Sequence, residues 1–121
     1  GGILENKKIG DMAQDHGVAM AVHMAESPIA CMAAVHSVAA TENFLALENH
    51  SVDIPWWSDL VNGLPKPLVQ NGFIDVPDKP GLGIESLNED LIAEKVDPMA
   101  PGIWEPTDQW DNEFAHDRLW S

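Results

Sequence analysis

His23 and Glu48 are the residues of this chain best suited to chemistry. His23 ends the apolar run Ala19-Met20-Ala21-Val22, and Glu48 ends the apolar run Phe44-Leu45-Ala46-Leu47. An imidazole changes charge near physiological pH, so a histidine held at the end of a buried strand can take or return a proton. A carboxyl group beside it can hydrogen-bond charge that develops on a substrate. The two residues stand 25 positions apart. That interval fits one loop, one helix and one turn, and so places Glu48 at the mouth of the strand next to that of His23. His50 is close to Glu48 and can line the same pocket. Each has a plainer alternative: a structural histidine satisfied by a backbone partner, and solvated loop residues.

The elements that must position these side chains are legible in outline. Glu5 to His16 reads as a helix, with Ile9, Met12 and Ala13 at helical spacing and Gly17 as a C-terminal stop. Val18 to Val22 lacks polar alternation and reads as a strand covered on both faces. His23 to Ser27 is then a loop. Ser27-Pro28 is a helix start, a capping hydroxyl followed by proline at the first helical position. It opens a helix over Pro28 to Ala40. Thr41 to Asn43 is a turn, and Phe44 to Leu47 a second buried strand. Helix, strand, helix, strand with short connections predicts an α/β arrangement, a parallel sheet with helices packed outside it.

After His50, prolines at 55, 65, 67, 77 and 80 prevent long regular elements. One short helix is expected within Ile54 to Val61. Leu68-Val69 and Phe73 to Val76 should pair around Asn71-Gly72, a favourable turn dipeptide. Ser86-Leu87-Asn88-Glu89 has the form of a capping box and predicts a helix to about Val96. From Asp97 the chain is irregular, with Trp104, Trp110 and Trp120 among acidic and turn residues.

The remaining candidates are weaker. His16 lies in a last helical turn, where a cation suits the dipole. His36 lies within a helix and His116 in the tail. No pair of histidines has the sequence spacing of a zinc site, and no metal ligand set is expected in this chain. Gly81-Leu82-Gly83 serves backbone geometry rather than phosphate binding. Cys31 is the single cysteine of 121 residues. An internal disulfide is therefore impossible, and a small buried thiol in a cytosolic protein is the expectation. The net charge of −14 argues against nucleic acid and against an anionic membrane surface, both of which require clustered Lys and Arg. No signal peptide is seen, and Pro28 to Ala40 is too short to span a bilayer.

An ordered set of segments resembles one family. It consists of Gly1-Gly2-Ile3 before a helix, Ala21-Val22-His23 ending a strand, and Ser27-Pro28-Ile29-Ala30 opening a helix. Leu47-Glu48 then ends a strand, and Lys79-Pro80-Gly81-Leu82-Gly83-Ile84-Glu85 follows downstream. Over about residues 1 to 96 this resembles the C-terminal part of the mandelate racemase and muconate lactonizing enzyme branch of the enolase superfamily. The His-to-Glu interval and the Pro-Gly-Leu-Gly segment are most similar to sugar-acid dehydratases of the galactonate dehydratase type.

The resemblance implies about the last two strands and helices of a (β/α)7β TIM-like barrel. Residues 1–50 would be barrel, 51–96 a post-barrel segment with a short hairpin and helix, and 97–121 an irregular tryptophan-bearing tail. It implies removal of the proton next to a carboxylate, a magnesium-stabilised enediolate, and loss of a β-hydroxyl to give a 2-keto-3-deoxy acid. His23 matches the seventh-strand base or acid. Glu48 matches the eighth-strand glutamate that binds the substrate carboxylate or the intermediate, with His50 a further substrate contact. Racemases, epimerases and cycloisomerases of the same superfamily share the first step and remain open. A non-catalytic acidic interaction module, using Trp56, Trp57 and the tail, is the alternative of another class. The magnesium ligands, the aspartate that orients the histidine, a second-strand base and a capping domain would all precede Gly1. This chain alone is therefore expected to be inactive, and a complete one to be a cytoplasmic homo-oligomer acting on a small sugar acid.

Overall fold

A computed structural model of the chain describes residues 2–99. The tryptophan tail expected from Asp97 lies outside the described residues from position 100 onward. Helix α1 spans Gly2–Asp15, strand β1 Met20–Met24, helix α2 Pro28–Ala39 and strand β2 Phe44–Asn49. A 3-10 turn at Trp57–Leu60 follows, then β3 at Val61–Asn62, β4 at Ser86–Leu87 and α3 at Glu89–Lys95. No described helix is long and apolar enough to cross a membrane.

β1 and β2 run parallel and are hydrogen-bonded neighbours, with α2 as the crossover between them. Partners in the ladder are Ala21 with Ala46, Val22 with Leu47, His23 with Glu48 and Met24 with Asn49. The first pair is Met20 with Phe44, so the register shifts by one residue and Leu45 is the extra one. Both strands run two residues further than their apolar runs, and β1 starts two residues later than expected. His23 is therefore inside β1 rather than in the following loop. The ladder carries it: the His50 N–H donates to the Met24 carbonyl at 3.0 Å, which holds the strand ends together.

The expectation that both faces of these strands are covered is corrected. Val22 and Met24 are buried, while Ala21 and His23 are exposed. Side chains alternate across a strand, so Val22, Met24 and Leu47 turn towards α2, and His23 and Glu48 turn away from it.

α2 begins where its sequence says it should. The Ser27 hydroxyl accepts from the Ala30 N–H, and Pro28 follows at the first helical position, where its missing N–H costs nothing. Met24, Cys31, Met32, Val35, Trp57 and Leu68 form the main core, and Val22, Ala34 and Val38 a second cluster. Burial pushes the Cys31 thiol up to about 11, so it behaves as a small hydrophobe.

Downstream, the Asn71-Gly72 turn forms with positive φ at both residues, 53° and 82°. Gln70 and Phe73 exchange both backbone hydrogen bonds, at 2.8 and 2.9 Å, and the pairing stops at that one bridge. The capping-box expectation at Ser86 is overturned. Ser86 pairs with Asn62 in the β3–β4 ladder and its hydroxyl accepts from Asn62 Nδ2. Asn88 caps α3 instead, its side chain accepting from the Leu91 N–H. Gly81 and Gly83 have φ of 63° and 79°. A Cβ at Gly83 would meet Pro77 Cγ at 2.5 Å, so this segment needs glycine for close approach as well as for conformation.

Candidate functional site

The ends of two adjacent parallel strands bring three chemically capable side chains together. His23 and Glu48 are ladder partners one residue before the ends of β1 and β2. In-register neighbours of a parallel pair project from the same face, so both leave the sheet on the side away from α2. His50 follows at the turn after β2. Its Nε2 lies 3.0 Å from Glu48 Oε1, and its ring centroid is 5.3 Å from that of His23 at a tilt of 45°. One ligating atom from each of the three lies within 4.8 Å of the others. All three are exposed. Among the described residues no hydrogen bond fixes the His23 ring, so its facing partner is His50.

The loops that carry these residues are tied to one another. The Glu26 carbonyl, just after β1, accepts from Ser51 Oγ at 3.2 Å and from Trp57 Nε1 at 2.8 Å. The Asn49 side chain accepts from the Ser51 N–H at 2.9 Å. One backbone oxygen thus joins the loop after β1 to the turn after β2 and to the 3-10 turn beyond. Trp57 is buried and packs against Met24 and Met32 in the main core, so this clamp is anchored in apolar contact. Sequence reading singled out Trp57 only as a possible partner-binding surface. The signal that could have found it is its amphipathic chemistry: a buried indole needs an acceptor for its N–H, and strand-end loops offer carbonyls.

The other residues weighed from sequence do not join the site. His16 is exposed just beyond α1. His36 is half-buried within α2, with Nε2 enclosed and without a partner. Cys31 is buried in the core on the opposite side of β1. His116 lies outside the described residues.

Two imidazoles and one carboxylate that face a common space can move a proton and hold an anionic oxygen through hydrogen bonds. They do not suit magnesium, which demands octahedral oxygen donors.

Comparison with known proteins shows the family of the chain. The Enolase C-terminal domain-like family matches residues 1–91. The chain is 45% identical over 84 residues to a D-xylonate dehydratase of Haloferax volcanii, covering 69% of this chain and 20% of that protein. It is 35% identical over 100 residues to a D-gluconate/D-galactonate dehydratase of Picrophilus torridus, covering 79% of this chain and 25% of the relative. A crystal structure of a mandelate racemase/muconate lactonizing enzyme-like protein from Rubrobacter xylanophilus superposes with a TM-score of 0.75 at 36% identity, over 84% of this chain and 25% of that one. The chain therefore spans about a fifth to a quarter of the length of the relatives it matches. The helix–strand–helix–strand unit described above resembles the C-terminal barrel part of such a protein. By the family match over most of its length, and by these dehydratase relatives, the chain belongs to the enolase superfamily and is similar within it to the galactonate and xylonate dehydratases.

Proposed function

We propose that this chain supplies the last two strand ends of a sugar-acid dehydratase, and that His23 and Glu48 act on the substrate there. The observation that carries the reading is the in-register pairing of His23 with Glu48 at the C-terminal ends of neighbouring parallel strands. That is the end at which barrel enzymes of this architecture work. Residues 1–50 would belong to the barrel, and the segment from 51 would buttress it through Trp57 and Leu68. The chain would be part of a soluble, homo-oligomeric cytoplasmic enzyme.

In this mechanism the His23 imidazole removes the proton next to the substrate carboxylate or returns one to the departing hydroxyl. Neutral imidazole is a weak base for a carbon acid. The step therefore proceeds only where negative charge is stabilised as it forms. Glu48 contributes by hydrogen bonding to the substrate carboxylate or to the oxygen that gains charge. His50 holds Glu48 through the 3.0 Å contact and contacts substrate beside it. Dehydration is completed by loss of the β-hydroxyl, giving a 2-keto-3-deoxy acid. The family's magnesium would be held by carboxylates outside the described residues. This chain's own part is confined to proton transfer and hydrogen bonding.

The test is a sugar-acid screen with the whole protein that carries this chain, with xylonate, gluconate and galactonate first and 2-keto-3-deoxy acid as the readout. His23→Asn should reduce turnover below detection while the far-ultraviolet circular dichroism stays that of the parent. Near-normal turnover by that variant removes His23 from the chemistry. Glu48→Gln should lower kcat/KM by a smaller factor, on the order of 10²; an unchanged value counts against its role. The mandelate racemase/muconate lactonizing enzyme-like neighbour keeps racemisation, epimerisation or cycloisomerisation as the second reading. Exchange of the α-proton with solvent deuterium without keto-acid formation would select it.

A further inference from the structure

We propose that His23, Glu48 and His50 form a binding site for a transition-metal ion of the zinc type, and that its occupation competes with sugar-acid turnover. The sequence spacing concealed the site, because its ligands come from two strands that only the parallel ladder brings together. Glu48 and His50 are two residues apart on one strand end, and His23 faces them across the sheet. Their donor atoms lie within 4.8 Å of one another.

The donor set decides the ion. Two imidazoles and one carboxylate match three-ligand zinc sites, whose fourth position is left to water or substrate. Nitrogen-rich sets favour zinc, cobalt or nickel, whereas magnesium selects oxygen. With zinc-to-ligand distances of about 2.0–2.2 Å, the donors of a tetrahedral site stand roughly 3.3 Å apart. His50 Nε2 and Glu48 Oε1 are already at 3.0 Å. All three side chains are exposed, so modest rotations bring in the His23 nitrogen without disturbing packed atoms. Among the described residues no lysine is ion-paired with Glu48: Lys7, Lys66, Lys79 and Lys95 pair with Asp11, Asp59, Glu85 and Glu94, and Lys8 lies on α1. The net charge of −14 further concentrates cations at the surface.

Binding needs only this geometry and is independent of the reaction. Competition rests on the proposed role of His23, since an imidazole nitrogen coordinated to a metal has no free lone pair for the substrate's proton.

The test takes the whole protein that carries this chain, with cobalt(II) and zinc chlorides as probes in magnesium-containing buffer. Cobalt in a tetrahedral site absorbs visibly, and one equivalent per chain should do so and be displaced by one equivalent of zinc. His50→Ala and Glu48→Gln should each weaken zinc affinity at least tenfold, while His16→Ala leaves it unchanged. Circular dichroism verifies the fold of each variant. Absence of stoichiometric zinc uptake by the parent, or equal affinity in parent, His50→Ala and Glu48→Gln, overturns the site. Zinc uptake with the expected variant pattern but no turnover of any sugar acid would keep the site and reject the dehydratase reading. In a protein that does turn over, zinc that binds at these residues without inhibiting overturns the competition.

Discussion

α1 packs against α2, and α2 packs on the parallel strand pair, and the two helices differ in how their apolar residues are used. α2 buries Pro28, Cys31, Met32, Ala34, Val35, Ser37 and Val38, whereas α1 buries Gly10 alone. Ile3, Leu4, Ile9 and Met12 of α1 are exposed, Met12 at 66%. The contrast is not one of helix-forming capacity, because both helices form. α2 lies over the sheet and against Trp57 and Leu68, so its apolar side chains meet partners on more than one side. α1 comes closest to the turn after α2, where Gly10 admits Thr41: a Cβ there would stand 2.7 Å from Thr41 Cγ2. An apolar stripe shows what a helix can bury, and only the neighbouring elements determine what it does bury.

The comparison is broken most forcefully by truncating one methionine on each helix. Met32→Ala in α2 should cost about 2–5 kcal/mol, the usual cost of a cavity at a fully buried site. Met12→Ala in α1 should lie within about 0.5 kcal/mol of the parent. Urea denaturation of both variants measures the difference, and equal losses would mean that Met12 is covered in solution. Next in size is Gly10→Ala. Overpacking against Thr41 costs about 1–3 kcal/mol, which exceeds the roughly 1 kcal/mol that alanine gains in helix propensity. In a Thr41→Ser background, where Cγ2 is gone, the same substitution should become neutral or stabilising.

Smaller effects sharpen the picture of α2. Ser27→Ala removes the hydroxyl that caps it and should lower stability by about 1 kcal/mol. Cys31 adds a pH dependence. Its folded-state value of about 11 lies above the ordinary 9.0. The unfolded chain therefore loses the thiol proton first, and stability falls as pH rises from about 9.0 towards 11. Below that range the contribution is fully present. The chain has no tyrosine to confuse the measurement. The denaturation midpoint of the parent should decline over this range more than that of Cys31→Ala, and identical slopes would refute the assignment.

How much of this was legible in the sequence depended on whether the decisive contact was local. Ser27-Pro28 opens α2 as expected, because a cap and a first-turn proline act within four residues. Asn71-Gly72 makes its turn for the same reason. The juxtaposition of His23 and Glu48 followed from element lengths along a parallel crossover. The strand ends did not, because they are fixed by the ladder and by the His50-to-Met24 bond rather than by the apolar runs. Ser86 was misread because a strand partner, Asn62, claims it from 24 residues away. The Glu26 carbonyl clamp was invisible, since backbone oxygens carry no sequence signature. His50 could be placed near Glu48, but its closeness to the His23 ring is tertiary information.

The extra residue in β2, Leu45, acts as a phase setter for the site. Without the one-residue slip beside Met20, the ladder would pair His23 with Leu47 and Met24 with Glu48. Because strand side chains reverse direction at each step, Glu48 would then share a face with Met24 and point into the methionine-lined core. The carboxylate and the imidazole would be on opposite sides of the sheet, although the two residues would remain the same number of positions apart. Leu45 is thus a parity device: its exclusion from the ladder determines whether the carboxylate of Glu48 faces the imidazole of His23 or the interior.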